Sequence, residues 1–442
     1  MRPTRIVFIG AGSASFGAAM AGDAVLTPGL AGSTVVLVDT NAERLEVVAA
    51  FTRRLNEKFG AGLRIEYTTD RLQALPEAEF VLAAPALDND ERGRLDFQIP
   101  IKYGIKQVFG GNGGPGGLAR ALRHIPLILG IAHDMERLCP KALLMNFTNP
   151  EGQIGLALSR YSSVPFVGLC HGIAIGYESI GRITGIPADD VEGIAAGVNH
   201  FGWFLDIRRK STHEDLYPLL RAADVTYDPT YYPLSRQLLR LYGLYPYPDD
   251  QEIGEYVSWA WEVCGLAGYD FAAASARHEK AWLWVSRVAE GVEAVRPPEK
   301  TDAADVHLRE GRRPLRLSDE FAFPIITSTL ENRHELIPAV NIRNEDCITN
   351  VPDWAVVEVP AVAGTDGIRA VKMGALPAGI AALVNMQVHW QDLVVEAAVS
   401  GSRQLALQAM LADPVVHSAE AAEKALDELL KVHAAYLPQF GG

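Results

Sequence analysis

Short apolar runs alternate with helical patterns in the first part of the chain, and this alternation limits the possible folds more than any other feature. The runs at residues 5–10, 34–38 and 80–84 are predicted to be buried strands, because they are apolar and of strand length. Residues 41–59 lie between two of these runs, with apolar side chains at helical spacing. Strands separated by helices are typical of a doubly wound parallel sheet. We therefore predict an α/β fold.

The second half of the chain differs from the first in composition and in its predicted elements. Tryptophan and tyrosine become frequent, a strand is predicted at 356–361, and alanine and leucine recur at helical spacing near the C-terminus. We predict two domains. Residues 1–195 form a Rossmann-type doubly wound sheet, and residues 196–442 form an α+β domain for catalysis, substrate binding and oligomerisation that packs over the carboxyl edge of this sheet. The charged stretch 287–317 is predicted to be a surface excursion.

A glycine turn follows the first predicted strand and precedes a helix. Gly10 and Gly12 allow the tight turn and the close approach of the backbone to a pyrophosphate, although the usual third glycine of this pattern is missing. Asp39 ends the second strand, where a carboxylate binds ribose hydroxyls and repels the 2′-phosphate of NADP. The predicted NAD site consists of Gly10, Gly12, Ser13, Phe16 and Asp39. A plain strand turn is the alternative.

A second glycine cluster, FGGNGGPGG, occupies residues 109–117 and precedes a long predicted helix. It predicts a mobile loop over the cofactor or the sugar, because loops of this kind close over active sites. A flexible surface loop is the alternative.

Residues able to bind a metal follow the later predicted strands. Asn149 lies in NFTNPEG, Cys170 in GLCHG and His200 in VNHFGW. Sulfur and imidazole ligands suit a divalent transition metal, and the carboxyl ends of parallel strands face one crevice. Cys170 and His200 are therefore candidate metal ligands, and Asn149 is a candidate sugar ligand. The alternatives are a core thiol and a core histidine that bind no metal.

The charge and the hydropathy of the chain exclude several classes of partner. The net charge is −14 and the pI is near 5.3, which argues against nucleic acid, since binding phosphates requires a basic face. No apolar run reaches membrane-spanning length, and no signal peptide is recognised. We expect a cytoplasmic enzyme without a nucleic-acid or membrane partner.

Six blocks of the sequence together resemble glycoside hydrolase family 4, the NAD- and manganese-dependent glycosidases. The resemblance covers almost the whole chain, and the order of its blocks is specific. The blocks are GAGSASF at Gly10, TNPEG at Thr148, GLCHG at Gly168, VNHFGW at Val198, DQEIGEY at Asp250 and VEVPA at Val357. It implies a fold of the lactate and malate dehydrogenase superfamily and a homodimer or homotetramer.

The resemblance also implies an unusual route for hydrolysis of the O-glycosidic bond, without the usual pair of carboxylates. NAD is transiently reduced by hydride from C3 of the sugar, a base removes the acidified proton of C2, and the glycosidic oxygen is eliminated. Water then adds, and the hydride returns, so NAD acts as a cofactor and not as a co-substrate. A divalent metal, expected to be Mn²⁺, polarises the sugar oxygens.

Role assignments follow from the matching positions. Cys170 and His200 match the metal ligands of the family, and Asn149 matches its substrate-binding asparagine. His171 matches a candidate acid near the leaving group and is also expected to contact the substrate, since an imidazole can donate a proton at neutral pH.

The base that removes the C2 proton is expected in the DQEIGEY block. Asp250 is the first candidate, and Tyr256 is its rival. The block departs from the family pattern at Glu252, where a histidine is usual.

The substrate is expected to be an unphosphorylated α-galactoside, α-galacturonide or α-glucoside, because His171 follows the metal cysteine as in members that act on such sugars. A uronide requires a cation near C6, for which Arg120, Arg123 and Arg236 are equal candidates. Two other functions are weighed against this one. The first is a metal-free NAD-dependent 2-hydroxy acid dehydrogenase, and the second is an NAD-binding sensor without catalysis.

Overall fold

The computed structural model describes residues 1–13, 16–87, 89–295 and 317–441. Residues 296–316, most of the predicted surface excursion, lie outside the described part. The strands are Arg5–Ile9 (β1), Thr34–Val38 (β2), Arg64–Thr68 (β3), Phe80–Ala83 (β4), Leu143–Asn146 (β5), Phe166–Gly168 (β6), Val191–Val198 (β7), Phe201–Arg209 (β8), Pro246–Tyr247 (β9), Glu335–Arg343 (β10), Val356–Gly364 (β11) and Gly367–Ala370 (β12).

The helices surround these strands. They are Phe16–Leu26 (α1), Ala42–Phe59 (α2), Arg71–Ala74 (α3), Asn89–Lys102 (α4), Gly114–Leu138 (α5), Glu151–Tyr161 (α6), Gly172–Thr184 (α7), Tyr217–Asp224 (α8), Pro233–Tyr242 (α9), Asp250–Ile253 (α10), Ala260–Cys264 (α11), Phe271–Glu290 (α12), Ala322–Glu331 (α13), Ala378–Ser400 (α14), Arg403–Ala412 (α15) and Ala419–Val432 (α16). None of the helices in the described ranges is long and apolar enough to cross a membrane.

The first half of the chain forms the predicted parallel sheet. Its strands lie in the order β3-β2-β1-β4-β5-β6, and each pair is parallel. The four central strands are almost fully buried, because helices cover both faces. The α/β fold with a doubly wound parallel sheet is therefore confirmed, and the carboxyl ends of β1, β4, β5 and β6 lie along one edge.

The second half combines helices with antiparallel strands, but these strands extend the first sheet instead of forming a separate layer above its edge. β10 pairs antiparallel with β6 through Asn341 and Gly168, and β11, β7, β8 and β9 follow in that order. The predicted packing over the edge is thus wrong for the strands. The reason is that β6 is an open edge after the parallel half, and β10 supplies partners for its backbone groups.

Helices of the second half also pack on the first half. α14 lies against α5 and α6, and its Trp390 is buried among the apolar side chains of that face. The continuous sheet and the shared apolar core join the two halves of the chain. The domain boundary at residues 195/196 stays a prediction.

Candidate active site

The glycine turn after β1 forms a floor for a dinucleotide. Gly10 has φ +87°, and a Cβ there would lie 2.5 Å from the carbonyl oxygen of Ala84, so a side chain is excluded. Gly12 is close to the second strand, because a Cβ there would lie 2.8 Å from Cγ of the Asp39 side chain. The amide of Gly12 donates to Oδ2 of Asp39 at 2.8 Å. The turn and the strand-end carboxylate therefore form one unit.

A cavity of about 940 Å³ opens above this turn. The predicted NAD residues Gly10, Gly12, Ser13, Phe16 and Asp39 all line it, together with Asn149 and Arg120. Its far wall is α12, from which His278 and Trp282 line the cavity. The guanidinium of Arg44 lies 4.0 Å from the ring centre of Trp282. The sequence patterns missed this wall, since nothing near Trp282 signals a contact with a helix so distant along the chain.

Cys170 and His200 meet beside the ends of β5 and β6. Cys170 follows β6, and its Sγ lies 3.3 Å from Nε2 of His200. His200 does not follow a parallel strand as expected. It occupies the two-residue turn between β7 and β8 with φ +61°, a left-handed conformation that His adopts more readily than most residues. The antiparallel hairpin aims the imidazole at the thiol.

The separation of these two atoms fits ligands of one metal ion. With the bond lengths of zinc, about 2.3 Å to sulfur and about 2.1 Å to nitrogen, two ligands of one ion lie about 3.1 Å apart at a right angle and about 3.6 Å apart at a tetrahedral angle. The observed distance of 3.3 Å lies between these values. No group of three or more His, Cys, Asp or Glu side chains suited to a metal occurs within the described ranges. The candidate metal site therefore consists of two side-chain ligands, Cys170 and His200.

Buried carboxyl groups lie around the pair. Burial raises the pKa of Glu151, Glu252 and Glu358, and it raises the pKa of the Cys170 thiol well above its usual range, with Glu358 and Glu252 adding to the effect. Burial lowers the pKa of His200 to about 3, which keeps the ring neutral. A neutral imidazole and a thiol that needs a cation to ionise fit a metal site.

The second nitrogen of His200 has its own partners. Nδ1 lies 2.7 Å from Nδ2 of Asn112 and 3.5 Å from Oε1 of Glu252. Both partners are residues to which the sequence patterns assigned no role at the metal. Glu252 is the position where the family pattern has histidine, and that departure was the only signal for it.

His171 directly follows Cys170 in the chain, and Asn149 follows β5, the strand that pairs with β6. His171 is exposed, and its Nδ1 lies 3.0 Å from Oε1 of Glu320, a hydrogen bond that raises the pKa of the imidazole. Asn149 lines the cavity, and its carbonyl oxygen lies 2.6 Å from Nδ1 of His124. This contact uses the backbone of Asn149 and not its side-chain amide.

Asp250 has a structural role that differs from the predicted one. Its Oδ2 accepts the amide of Leu234 at 2.7 Å, and its Oδ1 accepts the amide and hydroxyl of Ser235 at 2.8 and 2.6 Å. These bonds hold the first turn of α9, which needs an acceptor for its free N–H groups. These contacts favour a structural role, and the assignment of Asp250 as the base stays a prediction. Tyr256 is buried, and its hydroxyl donates to the carbonyl oxygen of Asn199 at 3.2 Å, next to His200.

The second glycine cluster is buried and is not a surface loop. Residues 110–117 are buried, and Oε1 of Glu255 accepts the amides of Gly110 at 2.7 Å, of Asn112 at 3.0 Å and of Gly111. Burial raises the pKa of this carboxyl to about 7. The cluster gives close packing beneath the metal ligands, and the prediction of mobility overlooked a buried acceptor far along the chain.

Comparisons with known proteins agree with this site. The model of family 4 glycosyl hydrolases matches residues 5–185, and the model of the family 4 C-terminal domain matches residues 195–416. An α-glucosidase of Erwinia rhapontici is 31% identical and an α-galactosidase of Bacillus subtilis (strain 168) is 30% identical, over 97% and 99% of both chains. A probable 6-phospho-β-glucosidase of the same Bacillus strain is 32% identical over 92% of this chain and 90% of its own.

Solved structures confirm the fold. A 6-phospho-α-glucosidase from gut microorganisms, solved in complex with NAD and Mn²⁺, superposes with a TM-score of 0.82 and 20% identity over 99% of this chain and 100% of its own. A malate dehydrogenase from Plasmodium falciparum has a TM-score of 0.50 and 13% identity over 91% of this chain and 99% of its own. With both family models matched along most of its length, the chain belongs to family 4 of the glycosyl hydrolases.

Proposed function

We propose that this chain hydrolyses an unphosphorylated α-glycoside with NAD and a divalent metal, Mn²⁺, as cofactors. The 3.3 Å approach of Cys170 Sγ to His200 Nε2, at the edge of a sheet with a dinucleotide turn, carries the proposal. A similar fold solved with NAD and Mn²⁺ supports this pair of cofactors. When bound, NAD exchanges a hydride with C3 of the sugar, and the metal acts as a Lewis acid that acidifies the C2 proton.

The residues around β1 bind the cofactor. Gly10 and Gly12 admit the pyrophosphate, because no side chain fills the space above them. Asp39 accepts the ribose hydroxyls, since each of its oxygens has a further lone pair beside the bonds to Gly12 and Asn41. Phe16 forms part of the cavity wall.

Two residues move protons in this proposal. His171 protonates the leaving oxygen, because the contact with Glu320 orients its ring and favours the charged form. Tyr256 removes the C2 proton in preference to Asp250, because the Tyr256 hydroxyl contacts the residue next to His200, whereas Asp250 accepts three hydrogen bonds from the start of α9. Burial raises the pKa of Tyr256 well above its usual range, and a cation on the neighbouring His200 lowers the pKa of such a hydroxyl.

Arg120 is the cation that we propose for an acidic sugar. Arg123 is buried in a pair with Asp96, and Arg236 is buried in a pair with Asp224. Arg120 lines the cavity and donates to the carbonyl oxygen of Gly111 at 3.2 Å, without an ion pair among the described residues. An α-galacturonide is therefore the favoured substrate among the three.

Hydrolysis of p-nitrophenyl α-glucoside, α-galactoside and α-galacturonide, each with and without a 6-phosphate where one exists, tests this function. With NAD, Mn²⁺ and a reductant, we expect cleavage of an unphosphorylated sugar that EDTA and Cys170→Ser abolish and that the matched variant Cys347→Ala retains. Cleavage of phosphorylated sugars alone contradicts the substrate class. Metal-independent accumulation of NADH supports a dehydrogenase instead.

The homodimer or homotetramer stays a prediction, and light scattering would measure the oligomeric state.

A further inference from the structure

Asn112 is held rigidly beside the metal ligand His200. Its backbone N–H donates to both oxygens of Glu255 at 3.0 and 3.1 Å, and its carbonyl oxygen accepts from Nε2 of Gln153 at 2.7 Å. The residue is 2% exposed. With the backbone fixed on two sides, the side-chain amide faces the imidazole, and its Nδ2 lies 2.7 Å from Nδ1.

The proton on the imidazole decides whether His200 can bind a metal. Coordination through Nε2 requires a lone pair on that nitrogen, so the proton of the neutral ring must sit on Nδ1. Nδ1–H then needs an acceptor, because a buried donor without one is costly. As oriented, Asn112 presents Nδ2 to the ring, and its Oδ1 is buried without a partner. A half-turn of the amide exchanges these two atoms and leaves every backbone contact unchanged.

We propose that Asn112 is a positioning residue of the metal centre: its Oδ1 accepts Nδ1–H of His200 and thereby keeps Nε2 free to bind the metal beside Cys170. This inference rests on the proposed function, because it concerns the same metal. Glu252 is the only other acceptor near Nδ1 in the described part of the chain, at 3.5 Å. Asn112 is favoured because it is closer and because its loop is fixed by Glu255.

The glycine cluster therefore has a structural role, which is to place Asn112 beside His200, and its composition does not indicate this role. Gly113 precedes α5, and a Cβ there would lie 2.9 Å from Cβ of Glu255. Side chains at this point would push the loop away from Glu255 and Asn112 away from His200. The order of contacts, from Glu255 through Asn112 to His200, links a buried carboxylate to the metal ligand.

The dissociation constant of Mn²⁺, measured by electron paramagnetic resonance without sugar, tests the inference. Asn112→Leu has a similar volume and no acceptor, so we expect affinity to fall about 10- to 100-fold. Asn112→Asp keeps an acceptor and should retain the affinity of the parent. Glu252→Gln should have a smaller effect than Asn112→Leu. NAD affinity, measured in the same samples, should stay unchanged in all three variants.

The outcomes distinguish a failure of the proposed function from a failure of the role of Asn112 alone. If the parent does not bind Mn²⁺, or if Cys170→Ser binds it equally well, the proposed function itself fails. If Cys170→Ser loses binding but Asn112→Leu keeps it, only the role of Asn112 is overturned. Equal losses in Asn112→Leu and Asn112→Asp, with NAD binding intact, also overturn it, since they indicate packing. Should Asn112→Leu not fold, Asn112→Ser, whose hydroxyl is too short to reach the ring, replaces it.

Discussion

Removal of the Glu255 carboxylate should loosen the glycine cluster beneath the metal ligands. Its Oε1 accepts three backbone N–H groups, those of Gly110, Gly111 and Asn112, and the residue is 1% exposed. Glu255→Ala leaves these groups without an acceptor, and an unsatisfied buried donor costs about 1–3 kcal/mol. Because water entering the space satisfies part of this loss, we expect the free energy of local opening to fall by about 3–5 kcal/mol.

Amide hydrogen exchange of residues 110–112 measures this opening. A loss of that size reduces protection by a factor of about 10² to about 4 × 10³, since about 1.4 kcal/mol corresponds to tenfold. Glu255→Gln keeps one oxygen for the three donors and should lose only about 1 kcal/mol. Glu262→Ala, on an exposed residue nearby, serves as the control and should change nothing. Unchanged protection in Glu255→Ala would refute the reasoning, because the loop would then be held by packing alone.

Three further predictions concern the cofactor wall, the substrate and the pH dependence of stability. Trp282→Ala should weaken NAD binding about tenfold in calorimetry through loss of the ring beside Arg44; unchanged affinity would remove α12 from the cofactor site. Arg120→Met should lower kcat/KM for an α-galacturonide about 100-fold and that for the neutral α-galactoside much less; equal losses would contradict charge recognition. Burial raises the pKa of Asp23 from 3.8 to about 6, so the folded chain keeps a proton that the unfolded chain releases. Stability of the parent should therefore fall relative to Asp23→Asn as the pH rises through this window, by at most about 3 kcal/mol in urea titrations; a difference independent of pH would contradict the shift.

The parts of the fold that depend on local patterns could be predicted from the sequence. The strand at Thr34–Val38 has the predicted ends, because an apolar run between turns leaves few alternatives. Gly10 and Gly12 signal the dinucleotide turn, since the positive φ of Gly10 and its approach to the backbone of Ala84 require glycine. Cys170 and His200 were predicted as a pair and lie together, although the hairpin that presents His200 was not foreseen.

The remaining parts depend on contacts between residues far apart in the chain. Asp250 has the residue type expected of a base, but the start of α9 lies against it and donates three hydrogen bonds to its oxygens. Glu255 stabilises the glycine cluster from more than a hundred residues away. Such carboxylates have the same local sequence signature whether they cap a helix, hold a loop or act on a substrate. Only their partners distinguish these roles.

The redox-assisted elimination is the central claim, and hydrolysis in deuterated water tests it most directly. The substrate is the α-glycoside that is cleaved fastest, and the released sugar is analysed by NMR at C2 and C3. We predict deuterium at C2, because the proton removed there exchanges with solvent before it is replaced, and protium at C3, because that hydride returns from the cofactor. Full retention of protium at C2 during complete hydrolysis would contradict the account.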